Sequence, residues 1–597
     1  MSGAAKVNFN VQNLTDTVVT TTAGIGFVLG RSIRGPWANP KDIFTSWPEF
    51  IKVFGGLSND FETPKHVKRI LEGGGAIRFC RVGNYADISD AETLTAIKAN
   101  ILNTTEIKLT GNLTTGGVYT LTIGQEEPVV INYTTSQANT LTAIANAIAT
   151  GTGGNVNVEG NVIKILSSVT DVRVSSNNAE NTFETINKPN GLIANITAKY
   201  AGADTNNIII MLEPGSNGQP NSFNLRVRHL FDNTVKEDYI NITIPTEVFT
   251  VPGYQPDYLK DIVNNSRYID VTYPSMWVLP VLTEAVTLRF TDGDDGNDPT
   301  EADYIGDTNS GTGLHSFDDY DDSYYIGVLE NIDIHNAGIS YADSRKDLLY
   351  IRGLNSTDKA GLLAEKNADN MDTQYVIYIG GKGLTRNPNT LAIENSSSVA
   401  DTMILAINSD LAFGPWYSFG GPNRGVVKNV LGVNVNFGTP ARSKDLDELA
   451  NRGINMFINK NNSTKFWGNF TGQSKYNQER FISIVKLIIY MQKSLRPTLE
   501  TFLEEPNDFS TWKRIYYTVK PFLDGLITKR ALYSYEWLGD QDAKTLRELV
   551  INDPTDVQNG KYKVRLNFKG INSLQDISID MYLTPAGLDF ELVTELI

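Results

Sequence analysis

The 597-residue chain has one cysteine, Cys80, and four histidines. A single cysteine excludes internal disulfides and metal sites built from several thiolates. Its setting, "AIRFCRV", is that of a small buried strand residue. Long apolar runs are also missing, and no stretch approaches the roughly 18 residues that read as a membrane span. The opening "MSGAAKVNFN" lacks the basic and apolar regions of a secretion signal. The expectation is a protein made and assembled in a cytoplasm, without membrane insertion. Positive charge is scarce: 52 Lys and Arg stand against 68 Asp and Glu, a formal net charge of −16. Displacing counterions from phosphates takes clustered cations, so direct nucleic-acid binding is not expected. The deficit is uneven, with no Lys or Arg between Lys108 and Lys164, and 14 Asp and Glu with no Lys or Arg over 290–344.

Motifs that carry chemistry are equally sparse. "GIGFVLG" has glycines, but they precede and punctuate a strand, and a Gly-Pro turn follows where a dinucleotide-binding turn would open a helix. "DGDDGNDPTEADYIGD" gathers oxygen ligands, yet Gly296 and Asn297 break the pattern begun by Asp292 and Asp294. A solvated loop that caps the helix starting at "PTEADYIG" is the simpler reading. "GGKGLT" lacks the Lys-Ser/Thr ending of a phosphate loop, and no G-x-S-x-G or H-E-x-x-H occurs. The histidines are isolated: His335 is expected at a strand end and His315 in an exposed Asp-rich loop, with no nucleophile placed by spacing. No catalytic, cofactor-binding or metal residue is assigned, and no cofactor is expected.

What remains is the composition of a packed protein, 41% hydrophobic and 20% charged, long enough for several domains. Residues 21–85 read as strand–helix–helix–strand: "GIGFVLG", then "TSWPEFIKVFGG" with Ser46 as N-cap and Pro48 in the first turn, then "TPKHVKRILEGGG" and "AIRFCRV". From 101 to 194 Thr, Asn, Gly and Ala dominate, giving a β-rich insertion around one helix, "TLTAIANAIAT". A second β-rich stretch, 195–290, carries "NIIIML", "SFNLRVR" and "YINITI", with a helix near "PDYLKDIVNNS". Beyond the acidic passage apolar strands alternate with helices ("YIGVLENIDI", "KAGLLAEKNAD", "QYVIYIGG", "ADTMILAINSD"), the pattern of a βαβ layer with a buried sheet. The longest helix is expected at about 477–503 and another near 510–527, followed by strands "KYKVRLNF" and "DISIDMYL". Both ends alternate apolar and polar residues: Val7, Phe9 and Val11 at one, Leu588, Phe590 and Leu592 at the other.

Taken in order, several stretches resemble the tail sheath proteins of contractile-tailed bacteriophages and contractile injection systems. They are "GFVLGRSIRGP" with "IFTSWPEFIKVFGG", "GGAIRFCRV", "ITAKYAGADTNNIIIML", "DGDDGNDPTEADYIG", "GPWYSFGGPNRGVV", "NRGINMFINKNNSTKFWGNFT" and the closing helices and strands. The resemblance spans about 20–95 and 195–597. It implies an α/β multidomain fold: N-terminal arm 1–20, sheath core 21–100, outer insertions 101–194 and 195–290, a non-catalytic subtilisin-like α/β domain 291–460, C-terminal domain 461–587 and terminal strand 588–597.

It also implies a structural subunit of a virion tail, assembled in the host bacterial cytoplasm. Such subunits stack as rings around a tail tube and contract to drive the tube through an envelope. The implied partners are further copies of the chain, the tail tube protein, and baseplate and tail terminator proteins. Val7, Phe9, Val11, Leu588, Phe590 and Leu592 are the implied inter-subunit strand residues, with 561–568 and 576–583 as acceptors. "STWKRIYYTVK" offers Lys513, Arg514 and Lys520 for a tube contact, against the plainer reading of a solvated helix face. Two other readings stand beside it: an α/β hydrolase, which lacks a recognisable nucleophile, and an extracellular adhesin or surface-layer protein, suggested by the Thr/Asn-rich insertion.

Overall fold

The structure, a computed structural model, describes residues 24–86 and 98–575, less 244–258, 273–284 and a number of shorter segments. Its centre is an eight-stranded sheet. β1 (Ile25–Gly30), helices α1 (Trp47–Phe54) and α2 (Thr63–Glu72), and β2 (Ala76–Arg81) form the N-terminal unit expected from the sequence. β1 lies parallel to β2 on one side and to β3 (Ser323–Val328) on the other, so Ile25 neighbours both Ala76 and Ser323. The sheet continues through β4 (Leu349–Gly353), β5 (Val376–Gly380), β6 (Ile454–Lys460) and the antiparallel β7 (Ser463–Trp467), and a short Ile43–Phe44 strand edges β2. Helices cover both faces, which explains why β3 and β5 read as unbroken apolar runs: every residue of each is buried.

β1 shows how the two faces are packed. A Cβ on Gly26 would collide with Met403 of helix α3 (Ser398–Phe413), and one on Gly30 with Thr63 of α2. The intervening Phe27 points the other way and stacks on Phe317, with ring centroids 4.5 Å apart. At the N-terminal unit, Phe44, Phe50, Phe54 and Phe79 close an aromatic cluster with centroid separations of 4.7–5.5 Å. Ser46 is the N-cap of α1, although its side chain makes no capping hydrogen bond. Gly55 ends the helix at φ 85°, a conformation that glycine adopts without penalty.

Two further hydrophobic cores form outside the sheet. One joins the strands between 104 and 186 to the helix Gln137–Thr152 through Ile107, Leu121, Ile144 and Ile163. The other gathers Ile196, Ile210, Phe223, Leu225 and Val227. The second is tied to the central sheet by arginines: Arg34 bonds Asp204 at 3.1 Å and Asp232 at 2.5 Å, and Arg81 reaches Asp295 at 3.3 Å.

Helices α4 (Ile482–Glu500) and α5 (Phe509–Thr528) pack on the central core. The expected range 477–503 overshoots. Phe481 is extended and bridges Phe470, and the Ile482 N–H donates to the Asn469 carbonyl, so the chain is still strand-like where the periodicity already looks helical. At 20 residues α5 exceeds the 19 of α4, which reverses the expected order of lengths.

Candidate assembly surfaces

The six arm residues Val7, Phe9, Val11, Leu588, Phe590 and Leu592 lie outside the described residues, as does the acceptor candidate 576–583. The other acceptor candidate is placed. β8 (Leu532–Leu538) and β9 (Arg565–Gly570) form an antiparallel pair, with Trp537 opposite Leu566 and Tyr535 opposite Phe568. The strand begins at Arg565, so 561–564 lie outside it. β8 was not expected, although Tyr533, Tyr535 and Trp537 supply the aromatic alternation typical of strands. Among the described residues neither outer edge of this pair carries another strand. Two strands alone are marginal in water, and this pair leans on α5, where the Tyr535 hydroxyl donates to Asp524 at 2.8 Å and Tyr516 packs on Trp537. Unpaired backbone N–H and C=O groups along such an edge accept an added strand whatever its sequence.

The basic stretch lies on α5. Lys513 is exposed, and among the described residues no carboxylate pairs with it. Arg514 reaches Glu505 at 3.5 Å and lies over Phe502. Lys520 bonds Asp524 at 2.6 Å, which holds the Asp524 carboxyl below its usual range. Exposed pairs of this kind are weak and exchange readily for other partners. Lys513, the half-exposed Tyr517 and Lys520 follow one another at helical spacing, so they share one outward stripe.

Beneath the surface are charges that sequence reading missed. Lys486, in the second turn of apolar α4, is wholly buried with Asp410 of α3, 2.6 Å away. The Tyr325 hydroxyl of β3 donates to the other Asp410 oxygen at 2.6 Å, and the Lys486 ammonium also donates to the Tyr417 carbonyl. Burial pushes the Asp410 pKa up and that of Lys486 down, while their mutual attraction opposes both shifts. One turn-pair further along α4, Lys493 donates to the carbonyls of Asp321 and Ser323 and lies 3.4 Å from Asp347. Hydrophobic spacing alone gave no signal for either lysine, because each partner lies far off in the chain.

The candidates for chemistry are absorbed into structure. Cys80 is buried, and burial pushes its thiol up to about 12, away from reactivity. The Asp-rich loop is solvated, as expected, with Asp294, Asp295 and Asp298 exposed; from that position Asp298 bonds Arg31 at 2.7 Å and Asp295 accepts from Arg81 and the Ala203 N–H. Thr300 and Asp303 form a reciprocal capping box that opens the helix Glu301–Ile305, as the sequence suggested. Asp292 lies outside the described residues, and among those described no group of three or more His, Cys, Asp or Glu is arranged to hold a metal ion. His315 is half-buried rather than exposed, 3.0 Å from Asp318. His335 opens the helix His335–Arg345 instead of ending a strand, because that helix begins directly after the loop leaving β3. Its Nδ1 lies 3.2 Å from the Tyr350 hydroxyl.

Burial, helped by the charge of Arg352, pushes the His335 pKa down to about 3. An unfolded histidine titrates near 6.5. Between those values the unfolded chain binds a proton that the native chain refuses, so this site favours folding above about 6.5 and loses that contribution as pH falls toward about 3. A His335→Gln variant is expected to show a shallower loss of denaturant midpoint over pH 6.5–4 than the parent. Equal slopes would rule the assignment out.

No protein-family model and no curated protein sequence matches the chain. Among solved structures it is similar to the sheath tail protein from Listeria innocua, at 10% identity over 92% of this chain and 96% of that one, with a TM-score of 0.50. This chain has the fold of a tail sheath protein. A sheath tail protein from Desulfitobacterium hafniense also matches, at 10% identity over 89% of this chain and 91% of that one, with a TM-score of 0.45. A PVC sheath complex of an extracellular contractile injection system, in its contracted state, matches at 17% identity over 47% and 76%, with a TM-score of 0.39. At these identities the likeness is one of fold. The sheath fold here comprises several sheets and helices in mixed α/β arrangement.

Proposed function

We propose that this chain is a structural subunit of a contractile tail sheath. The observation that carries the reading is the fold shared with a sheath tail protein across nearly the whole length of both chains. Copies stack as rings around a tail tube, in a virion or related particle, and contraction drives the tube through the target envelope without an enzymatic step. The terminal stretches 1–20 and 588–597 act as arms that add strands to neighbouring copies, and β8–β9 supplies an acceptor edge. Lys513 and Lys520 on the outward stripe, with the neighbouring Arg514, form the proposed tube contact, with baseplate and terminator proteins at the two ends of the stack. The free energy of contraction comes from two packings of the same subunit, and a few kcal/mol per copy suffices when copies switch together.

Negative-stain microscopy of the purified chain tests this. Tubes of stacked rings are expected. Small closed oligomers of fixed size would overturn the reading and favour a soluble enzyme instead.

A further inference from the structure

Although the chain is acidic overall, it carries a basic groove. The groove runs between α2 and α3, is lined further by Thr385, Arg386 and Glu394 and by side chains from 423–428 and 430–431, and encloses about 820 Å³. Three of its cations are neutralised from within: Lys65 by Glu394 at 3.4 Å, Lys68 by Glu72 at 3.8 Å and Arg69 by Asp401 at 2.6 Å. Arg386, Arg424 and Lys428 remain, and among the described residues no carboxylate pairs with them. Arg424 is occupied by the rings of Phe413 and Tyr417. Arg386 and Lys428 are exposed. Large apolar side chains are left open to solvent here: Leu431 at 58% and Phe413 at 50% line the groove, and Leu391 at 66% and Ile393 at 61% neighbour Arg386. An apolar patch rimmed by unspent charge of one sign marks an interaction surface.

The matching surface is on the same molecule, on the other side. Residues 301–321 contain no Lys or Arg and expose Glu301, Asp319 and Asp321. The alternation along β1 fixes the geometry. Gly26 and Gly30 face α3 and α2, which form the groove, while Phe27 faces Phe317 within the acidic segment. The basic groove and the acidic segment therefore lie on opposite faces of the central sheet, so a subunit cannot satisfy one with the other. A second copy can.

We propose that the groove receives the acidic 301–321 surface of the next copy, head to tail. A contact between two different patches of identical chains propagates as a ring or a helical filament. The proposal deepens the sheath reading and rests on it for the expectation that copies stack. Because the charges are exposed, the contact weakens as salt shortens the screening length from about 10 Å at 0.1 M to about 3 Å at 1 M.

The test is a paired charge reversal in the full-length chain. One variant carries Arg386→Glu with Lys428→Glu, and the other Asp319→Lys with Asp321→Lys. All four side chains are exposed, so both variants are expected to keep the parent melting temperature. Sedimentation at low salt should show assembly of the parent, none of either variant alone, and recovered assembly in the equimolar mixture, where each reversed patch meets a reversed partner. A parent that stays monomeric, a variant that assembles alone, or a mixture that fails to recover each overturns the proposal; the last would mean that the groove receives something other than this surface. Microscopy separates the two readings. Parent assemblies that are not tubes, with recovery in the mixture, sink the sheath and keep the groove contact. Tubes that form equally from either variant do the reverse.

Discussion

A subunit lacking residues 588–597 is expected to fold normally and to form no tubes. Folding should survive because the three hydrophobic cores of the described chain are built from residues 27–568, including the partly buried residues that pack against them. Tube formation should fail because the sheath reading assigns this segment to a neighbour's sheet. Strand addition is all or none along an edge, since each residue added satisfies the next backbone groups in register. Sedimentation would show a soluble monomer, and microscopy an absence of tubes at concentrations where the parent is fully assembled. A second variant, with Leu588, Phe590 and Leu592 each changed to Glu, keeps the backbone donors while removing the apolar face. It should fail equally if those side chains set the register. Tubes of normal length from the truncated chain would sink the strand-donation reading and leave the fold untouched.

The second large effect is expected at the buried charge pair. Asp410→Ala leaves the Lys486 ammonium in a fully buried site with only the Tyr417 carbonyl and no counter-charge. Breaking a buried pair from one side costs about 3–5 kcal/mol, and here the damage falls on the joint between α3, α4 and β3. Trp416, one of seven tryptophans, packs on Tyr490 of α4, with centroids 5.5 Å apart, so tryptophan fluorescence during urea unfolding contains a signal from that joint. The expected result is a first transition at markedly lower urea, with α4 becoming open to proteolysis. Replacing both partners, Asp410→Leu with Lys486→Met, should recover most of the loss, because an apolar pair of similar volume carries no desolvation cost. A single Asp410→Ala variant with the parent's midpoint would show that the pair does not hold the joint.

Much of the fold was legible in local pattern. The strand–helix–helix–strand unit announced itself through Pro48, Gly55 and the short apolar runs at 25–30 and 76–81. The buried parallel strands announced themselves as short apolar stretches between helices, and Cys80 as a core residue. These features depend on which face of a segment is hidden from water, and periodicity records that directly. Errors came where a long-range contact competed with local pattern. Phe481 is held extended by Phe470, which shortens the expected helix, and the aromatic strand β8 becomes a strand because β9 lies beside it. The fold's likeness to a sheath protein was readable only from the order of many weak motifs, each of them unspecific alone.

The sequence by itself determined the amphipathic elements, the acidic excess and its uneven distribution, and the absence of disulfides. Only the tertiary structure decided that β1 sits between β2 and β3, that Lys486 meets Asp410, and that the basic groove and the acidic segment fall on opposite faces. The reason is physical. Burial of one face is a property of a few neighbouring residues, whereas the identity of what buries it depends on closing the chain over hundreds of residues, and local spacing carries no record of that closure.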